Sequence, residues 1–335
     1  MTTKLSTEFG RFDDFNYLCT FNPSFDMINR VLIRVKVVQM LYSYMLTRPE
    51  RTFEQALQDL QASFEKSYDL YLYLIKLIPD LTYIEERRLD DAKHKFQPTE
   101  DELNPNTRFI DNQLTRAIND NPAVEKIFRD HMISWNDDPI FMRLLLDKIR
   151  NSEVYQDYMA LPFTDLMSDT EVWRQLLRKV ILDDEDVEEQ LQNRSLYISS
   201  EDLEVMGQFA IKSLSKIADG EDDPIKPMFK DKEDSVFGEE LFSKTVRDMD
   251  DNNVLIDSCV RSERWDRTRV ALMDRIIMCT AITELKCFEK IPASVTLNEY
   301  IDLAKIFSTP QSGQFVNGVL NAVVDELRSR GRINK

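Results

Sequence analysis

Glycine is scarce in this chain, with 7 glycines among 335 residues. A tight turn between antiparallel strands usually needs glycine, because at least one of its central residues has a positive φ. Most apolar runs also repeat at intervals of three and four residues instead of alternating, which is the period of an amphipathic helix. The two features together predict an all-α protein with a core of packed helices.

The chain is strongly acidic, because 60 Asp and Glu residues outnumber 43 Lys and Arg residues and give a net charge of −17. This balance argues against a protein that binds nucleic acid over its whole surface, so any RNA site is expected to be local. It suits a basic protein partner, since complementary charge speeds encounter and disfavours wrong partners. The most acidic run, residues 183–189, is interpreted as the solvated start of a helix.

Residues that could bind a metal are isolated in the sequence. No CxxC pair or zinc-ligand spacing connects the cysteines and histidines, which are Cys19, Cys259, Cys279, Cys287, His94 and His131. The sequence also contains no Walker, HExxH, GxSxG or dinucleotide-binding pattern. We therefore expect no metal, no cofactor and no enzymatic activity.

No stretch of the sequence reaches the length of apolar residues that indicates a membrane span. Glu8, Asp13 and Asp14 interrupt the region in which a secretory signal would need a continuous apolar core. We expect a cytoplasmic protein with reduced thiols.

Changes in periodicity divide the chain into five segments. Residues 1–26 have no sustained period and are predicted to be an unstructured leader. Residues 27–79 contain two helices, and residues 80–217 contain short helices separated by prolines. Residues 218–237 combine Gly, Pro and alternating charge and are predicted to be a linker, whereas residues 238–331 contain the terminal helices.

Several helix ends can be predicted from capping residues. Thr52–Gln55 and Thr296–Glu299 both have the spacing of a capping box, in which two side chains satisfy each other's backbone N–H groups. Gly331 follows a helix whose last turn is basic, as expected at a C-terminus. In the helix that starts at Met27, the polar residues form a narrow solvent-facing stripe on an otherwise apolar cylinder: Asn29, Lys36, Ser43 and Thr47.

The C-terminal region carries a specific pattern: a helix that begins Asp-Arg and ends Glu-Leu, a proline, a helix with the sequence NExIxLAK, and an unbroken FVNGVL. This pattern resembles the NusB family. The matching residues are Asp274, Arg275, Glu284, Leu285, Pro292, Asn298, Glu299, Ile301, Leu303, Ala304, Lys305, Ser312 and Phe315 to Leu320. The first helix resembles the family's Arg-rich opening less closely, through Arg30, Arg34, Gln39, Leu41 and Tyr42.

The resemblance implies a NusB-like helical bundle, here elaborated by extra helices inserted in residues 80–217. Members of this family pair with a small-subunit ribosomal protein, also called NusE, and bind the single-stranded boxA element of ribosomal RNA transcripts. Together with other Nus factors they keep RNA polymerase from terminating on rRNA operons. The chain therefore looks like an RNA-binding transcription antitermination factor, which works as an adaptor between weak surfaces.

Two groups of site residues follow from the resemblance and from local charge. The segment between Met27 and Pro49 has four basic residues and no acidic one, so it is predicted to contact phosphates. The predicted RNA-binding residues are Arg30, Arg34, Lys36, Arg275, Gln314 and Asn317. The family contacts its ribosomal protein partner at the positions of Tyr42, Asp274, Phe307 and Phe315. Both groups require the terminal helices to fold back against the first helix. The alternative for the basic residues is ordinary snorkelling at the end of a buried helix, and the alternative for both phenylalanines is core packing.

Two departures from the family pattern favour weaker RNA binding. Cys279 and Gln314 occupy places where other members commonly carry a basic residue, so fewer counterions would be released and the salt dependence would be shallower. A protein-binding helical adaptor on the NusB scaffold, with little RNA affinity, is therefore an alternative. The module also occurs fused to ribosomal RNA methyltransferases, but the glycines of this chain are too sparse for a methyl-donor site. Gly318 is expected to serve an RNA contact or a close approach between helices.

Overall fold

The computed structural model describes residues 30–260, 270–308 and 310–335. Within these ranges it contains fourteen α-helices and no β-strand, which confirms the all-α prediction. The predicted leader, residues 1–26, lies outside the described residues. The helices are α1 (Arg30–Thr47), α2 (Phe53–Lys93), α3 (Glu100–Leu103), α4 (Gln113–Asp120), α5 (Pro122–Asp130), α6 (Pro139–Asn151), α7 (Glu153–Ala160), α8 (Leu166–Leu176), α9 (Glu185–Arg194), α10 (Ser200–Ala218), α11 (Lys232–Cys259), α12 (Leu272–Cys287), α13 (Ala293–Phe307) and α14 (Pro310–Ser329).

Helix α1 lies at the centre of the bundle and packs against α2, α11 and α12. It is buried on nearly all sides, because its apolar residues face several neighbours at once: Leu32, Ile33, Val35, Val37, Val38 and Leu41. Lys36, predicted to lie on a solvent-facing stripe, is also buried. The stripe prediction was wrong at this position, because a neighbouring helix supplies a carboxylate that lets the lysine enter the core.

Helix α2 begins at the predicted capping box. The Thr52 hydroxyl accepts from the Gln55 backbone N–H, and the Gln55 side chain accepts from the Thr52 backbone N–H. The helix then continues through Pro79 to Lys93, across the predicted segment boundary at residues 79 and 80. Proline removes one backbone hydrogen bond, but the residues around it are fully buried and tertiary packing keeps the helix intact: Ile75, Leu77, Ile78 and Leu81.

The four terminal helices, α11 to α14, pack against one another, and α11 and α12 also pack against α1. Helix α11 begins at Lys232, inside the predicted linker. Helix α13 begins at Ala293, with Pro292 at its N-cap, so the predicted capping box at Thr296–Glu299 was wrong. The helix starts about one turn earlier, and the Thr296 hydroxyl donates instead to Glu284. Gly331 has a φ of +61°, which agrees with its predicted role as the residue after a helix.

The middle of the chain forms the shorter helices α3 to α9, followed by α10, which packs along α2. Pro122 and Pro139 lie in the first turns of α5 and α6, where the missing N–H group has no intrahelical partner to lose. The acidic run at 183–189 starts α9, with Asp184 as N-cap, as the sequence predicted. No described helix is both long and apolar enough to cross a bilayer.

One backbone position in this region is strained. Met132, directly after the C-cap of α5, has a φ of +52°, and its N–H donates to the carbonyl oxygen of Arg129. A non-glycine residue in this left-handed region loses about 1 kcal/mol relative to glycine. The side chain is 84 % exposed, so it contributes little packing in return.

We expect Met132→Gly to raise the free energy of unfolding by about 1 kcal/mol, because glycine adopts this φ without a steric penalty. Urea unfolding followed by circular dichroism measures the change. Met167→Gly is the matched control, since Met167 is similarly exposed but lies in the first turn of α8, where glycine should lower stability. Equal effects of the two substitutions would contradict the strain at Met132.

Candidate functional site

Arg34, a predicted RNA-binding residue, lies in the core with 3 % of its surface exposed. Its guanidinium donates two hydrogen bonds to the Glu284 carboxylate of α12, from Nε at 2.8 Å and from Nη2 at 2.9 Å. The same carboxylate accepts from the hydroxyls of Thr296 at 2.8 Å and Tyr300 at 3.0 Å on α13. We call these four residues the Glu284 cluster, and it joins α1, α12 and α13 at one point.

Arg34 keeps its charge despite burial. Desolvation is the largest single influence and lowers the pKa of Arg34, but the charge and hydrogen bond of Glu284, together with Tyr300 and Glu299, raise it by more, so the pKa lies above its ordinary value. Burial, followed by the negative charge of Glu284, raises the pKa of Tyr300 well above its ordinary value. The guanidinium therefore stays cationic and the phenol stays a hydrogen-bond donor.

Lys36 is 1 % exposed and is held by α10. Its ammonium group lies 2.5 Å from the Asp202 carboxylate and donates to the Tyr197 carbonyl oxygen at 2.9 Å. Ser67 of α2 also donates to Asp202, at 3.0 Å. The lysine predicted to contact RNA thus joins α1, α2 and α10.

Arg30 is the predicted basic residue of α1 that reaches solvent, with about a third of its side chain exposed. Its Nε lies 2.7 Å from Asp234 at the start of α11, and Glu233 lies 3.7 Å from its Nη2. The guanidinium also lies 5.2 Å from the centre of the Phe237 ring. Its charge is largely balanced by neighbouring carboxylates.

Arg275 lies near the opposite end of α11. Its Nη1 contacts Asp257 at 3.0 Å and Asn253 at 3.4 Å. Asp257 follows Asp234 by 23 residues on the same helix, which corresponds to about 35 Å along the axis. The structure therefore separates Arg275 from Arg30, although the sequence placed them side by side.

Gln314 and Asn317 lie on the exposed face of α14, with Gly318 and Asn321. The Asn321 amide donates to the Asn317 backbone oxygen at 2.8 Å and to its side-chain oxygen at 2.5 Å. Among the described residues, nothing lies within 4 Å of the position that a Gly318 Cβ would occupy. No described helix therefore makes the close approach that the sequence suggested for this glycine.

A close approach occurs instead at Gly238, which the sequence did not single out. A Cβ there would lie 2.9 Å from both Ile33 and Phe64, so any larger residue at this position would force one of these side chains to shift. Cys279 is fully buried and lies 3.7 Å from the Asn253 side-chain oxygen. Burial raises the pKa of Cys279 to about 12, so this position belongs to the core and not to an RNA-facing surface.

Three of the predicted partner-binding residues lie around the corner between α13 and α14. Asp274, in the first turn of α12, is buried and its Oδ2 accepts from the Ser312 hydroxyl at 3.2 Å. Its Oδ1 has no hydrogen-bond partner among the described atoms, and burial raises the pKa of this carboxyl. Phe315 is buried and Phe307 is half-buried. Tyr42 is half-buried on α1, which packs against α12.

We expect Arg34→Met to lower the free energy of unfolding by about 3 kcal/mol, because it leaves the buried Glu284 carboxylate without its cation. Arg30→Met is the matched control and should cost less than about 1 kcal/mol, since Arg30 is partly solvated. Urea unfolding of both variants gives the comparison. Arg34→Met/Glu284→Gln should recover part of the loss, and a double variant no more stable than Arg34→Met would contradict the assigned pairing.

Comparison with known families matches the C-terminal part of the chain, which contains Asp274 and Glu284. A family model described as NusB family matches residues 203–325, from α10 into α14. The transcription antitermination protein NusB of Salinibacter ruber (strain DSM 13855 / M31) is 38 % identical over 109 residues, which cover 32 % of this chain and 67 % of that protein. The protein of the same name from Bacillus mycoides (strain KBAB4) is 40 % identical over 79 residues, or 23 % of this chain and 61 % of that protein.

The match to a third relative is shorter. The transcription antitermination protein NusB of Chloroherpeton thalassium (strain ATCC 35110 / GB-78) is 38 % identical over 74 residues, which cover 22 % of this chain and 35 % of that protein. No solved structure matches the chain. The alignment with the Salinibacter ruber protein spans two thirds of that relative, and the family model falls on the helices that hold Asp274, Glu284 and Phe315. The chain belongs to the NusB family.

Proposed function

We propose that this protein acts in transcription antitermination, as an adaptor that binds boxA-type RNA together with the ribosomal protein NusE and keeps RNA polymerase processive on rRNA operons. The observation that carries the proposal is the Glu284 cluster. It joins α1 to α12 and α13, and α12 and α13 lie inside the region that matches the family. The relatives named as antitermination proteins support the same process.

The proposed RNA contacts are the predicted residues that reach solvent. Arg275 presents a guanidinium beside Asp257, and Gln314 and Asn317 present amides on α14. Single-stranded RNA offers unpaired base edges that amides can bind and phosphates that guanidinium groups can bind. Gly318, next to Asn317, leaves the helix backbone open to a ligand. Arg30 adds a phosphate contact at the other end of α11, whereas Arg34 and Lys36 act by holding α1 in place.

The proposed NusE surface surrounds the α13–α14 corner. Asp274 is buried with one unpartnered carboxylate oxygen, an arrangement that lowers stability unless a donor arrives from outside. Phe307 and the edge of Tyr42 provide apolar area beside the family-matching helices. A cationic protein could supply the missing donor and cover these rings, as charged and aromatic anchors do in other interfaces.

A second candidate function is the protein-binding adaptor with little RNA affinity. The burial of Arg34 and Lys36 favours this candidate. They are two of the three basic residues of the first helix that were predicted to bind RNA, and both form internal ion pairs instead. Arg30 and Arg275 are also paired with carboxylates. An RNA phosphate would have to compete with these carboxylates, which weakens binding.

Fluorescence anisotropy with a labelled boxA RNA, with and without NusE, separates the two candidates. We expect NusE to increase RNA affinity, and Arg275→Ala to reduce it and to lower the slope of log affinity against log salt by about 0.7, the value for one lost phosphate contact on single-stranded RNA. Arg116→Ala is the matched control, since Arg116 is an exposed, ion-paired arginine outside the family match. RNA affinity that does not respond to NusE or to Arg275→Ala would favour the second candidate.

Asp274→Asn should stabilise the free protein and weaken NusE binding. Because burial raises the folded pKa of Asp274 above its unfolded value, the folded state holds more protons between the two values, and stability falls as pH rises through that window. The introduced asparagine cannot ionise, so the variant does not lose stability as pH rises. Its free energy of unfolding at pH 7 should therefore exceed that of the parent protein, and the two free energies should converge at lower pH. Urea unfolding at several pH values and calorimetric titration with NusE measure both effects. A variant that is less stable at pH 7 would contradict the assignment.

A further inference from the structure

An open groove lies between α6 and α9, outside the residues that match the family model. Its volume is about 730 Å³, within the usual range for ligand sites in proteins. Two aliphatic side chains of α6 line it, Ile140 with 74 % and Leu144 with 58 % of their surfaces exposed. Large aliphatic groups one turn apart on a helix and turned to solvent form an apolar strip that another chain can cover.

The rim of the groove is anionic. Five carboxylates line it, and Lys148 is the one cationic lining residue in the described part of the chain. Lys148 is bound by Asp184 and Asp186, both at 2.6 Å. Asp137 and Glu189 are exposed and form no ion pair with any described residue. The apolar strip therefore lies between uncompensated negative charges.

The shape of the groove is set by partly buried contacts between α6 and α9. Asp138, at the start of α6, pairs with Arg194 and accepts from the Gln190 amide at 2.9 Å, both on α9. The Arg194 guanidinium lies 4.3 Å from the Trp135 ring centre and 4.5 Å from the Tyr73 ring centre. These contacts fix the start of α6 relative to α9, so the groove is formed before any partner arrives.

We propose that this groove binds a cationic segment of a partner protein, with apolar side chains of that segment against Ile140 and Leu144 and its Lys or Arg side chains against Asp137 and Glu189. Charge complementarity selects the occupant, because an anionic or neutral segment would leave the rim carboxylates unpaired. The site lies outside the family-matching helices and does not depend on the proposed RNA and NusE contacts.

The probe is a fluorescein-labelled amphipathic peptide of about twelve residues composed of Lys and Leu, with a Glu-for-Lys peptide as its anionic counterpart. Anisotropy titrations use the full chain. Ile140→Ser/Leu144→Ser and Asp137→Lys/Glu189→Lys should each weaken binding of the cationic peptide at least about fivefold, since the first removes the apolar strip and the second reverses the rim charge. The anionic peptide should not bind.

Matched control variants carry the same changes elsewhere in the middle region. Phe163→Ser/Met167→Ser removes two similarly exposed apolar side chains, and Asp120→Lys/Asp157→Lys makes the same change in net charge on exposed helix positions. Both controls should change affinity less than about twofold. Equal losses of peptide affinity in the groove variants and the control variants would mean that the peptide binds by general charge attraction, and this result would overturn the proposal.

Two further measurements make the result decisive. In methyl NMR spectra, the cationic peptide should shift the Ile140 and Leu144 resonances more than those of Ile127 or Leu161, and undisturbed Ile140 and Leu144 methyls would overturn the proposal. Light scattering determines whether the groove instead joins two copies of the chain. A dimer that Ile140→Ser/Leu144→Ser abolishes would assign the groove to self-association and overturn the binding of a partner segment.

Discussion

The ion pair between Arg34 and Glu284 connects residues 250 positions apart in sequence and fixes how the two ends of the chain meet. A buried carboxylate is tolerated only with partners for its lone pairs, and here Arg34, Thr296 and Tyr300 provide them. A displaced α1 would leave Glu284 uncompensated, so the pair specifies one register between α1 and α12. Asp274 lies ten residues earlier on α12, so the same register determines the position of the surface around it.

Lys36 extends the same principle to α10. It follows Arg34 by two residues, about 200° around the helix, so the two side chains leave α1 on different sides. Arg34 binds the terminal helices, and Lys36 binds Asp202 on α10. One helix therefore uses both of its buried cations in internal ion pairs, and its other buried residues are apolar. Through α10, the middle of the chain is joined to the same helix as the terminal helices.

The sequence predicted the all-α class, the capping box at Thr52 and the family, because these depend on local periodicity or on contiguous motifs. It could not predict the burial of Arg34 and Lys36, since their carboxylate partners lie 250 and 166 residues away. Thr296 and Glu299 have the spacing of a capping box, but the Thr296 hydroxyl instead donates a tertiary hydrogen bond to Glu284. The sequence also could not predict the separation of Arg275 from Arg30. A family motif gives the types and order of residues, but it does not give the length of α11, which lies between these two arginines in space.

The distribution of acidic residues is compatible with both the proposed RNA contacts and the proposed binding at the anionic groove. Residues 98–218 contain 24 Asp and Glu residues but 13 Lys and Arg residues, so most of the net charge of −17 lies in the middle of the chain. At physiological salt the Debye length is about 8 Å, so solvent-exposed charges further apart than this are largely screened. Repulsion from the middle region would therefore slow the approach of RNA without preventing the proposed short-range contacts at Arg275 or Asn317. The same field favours a cationic segment at the groove, where approach and contact are both favourable.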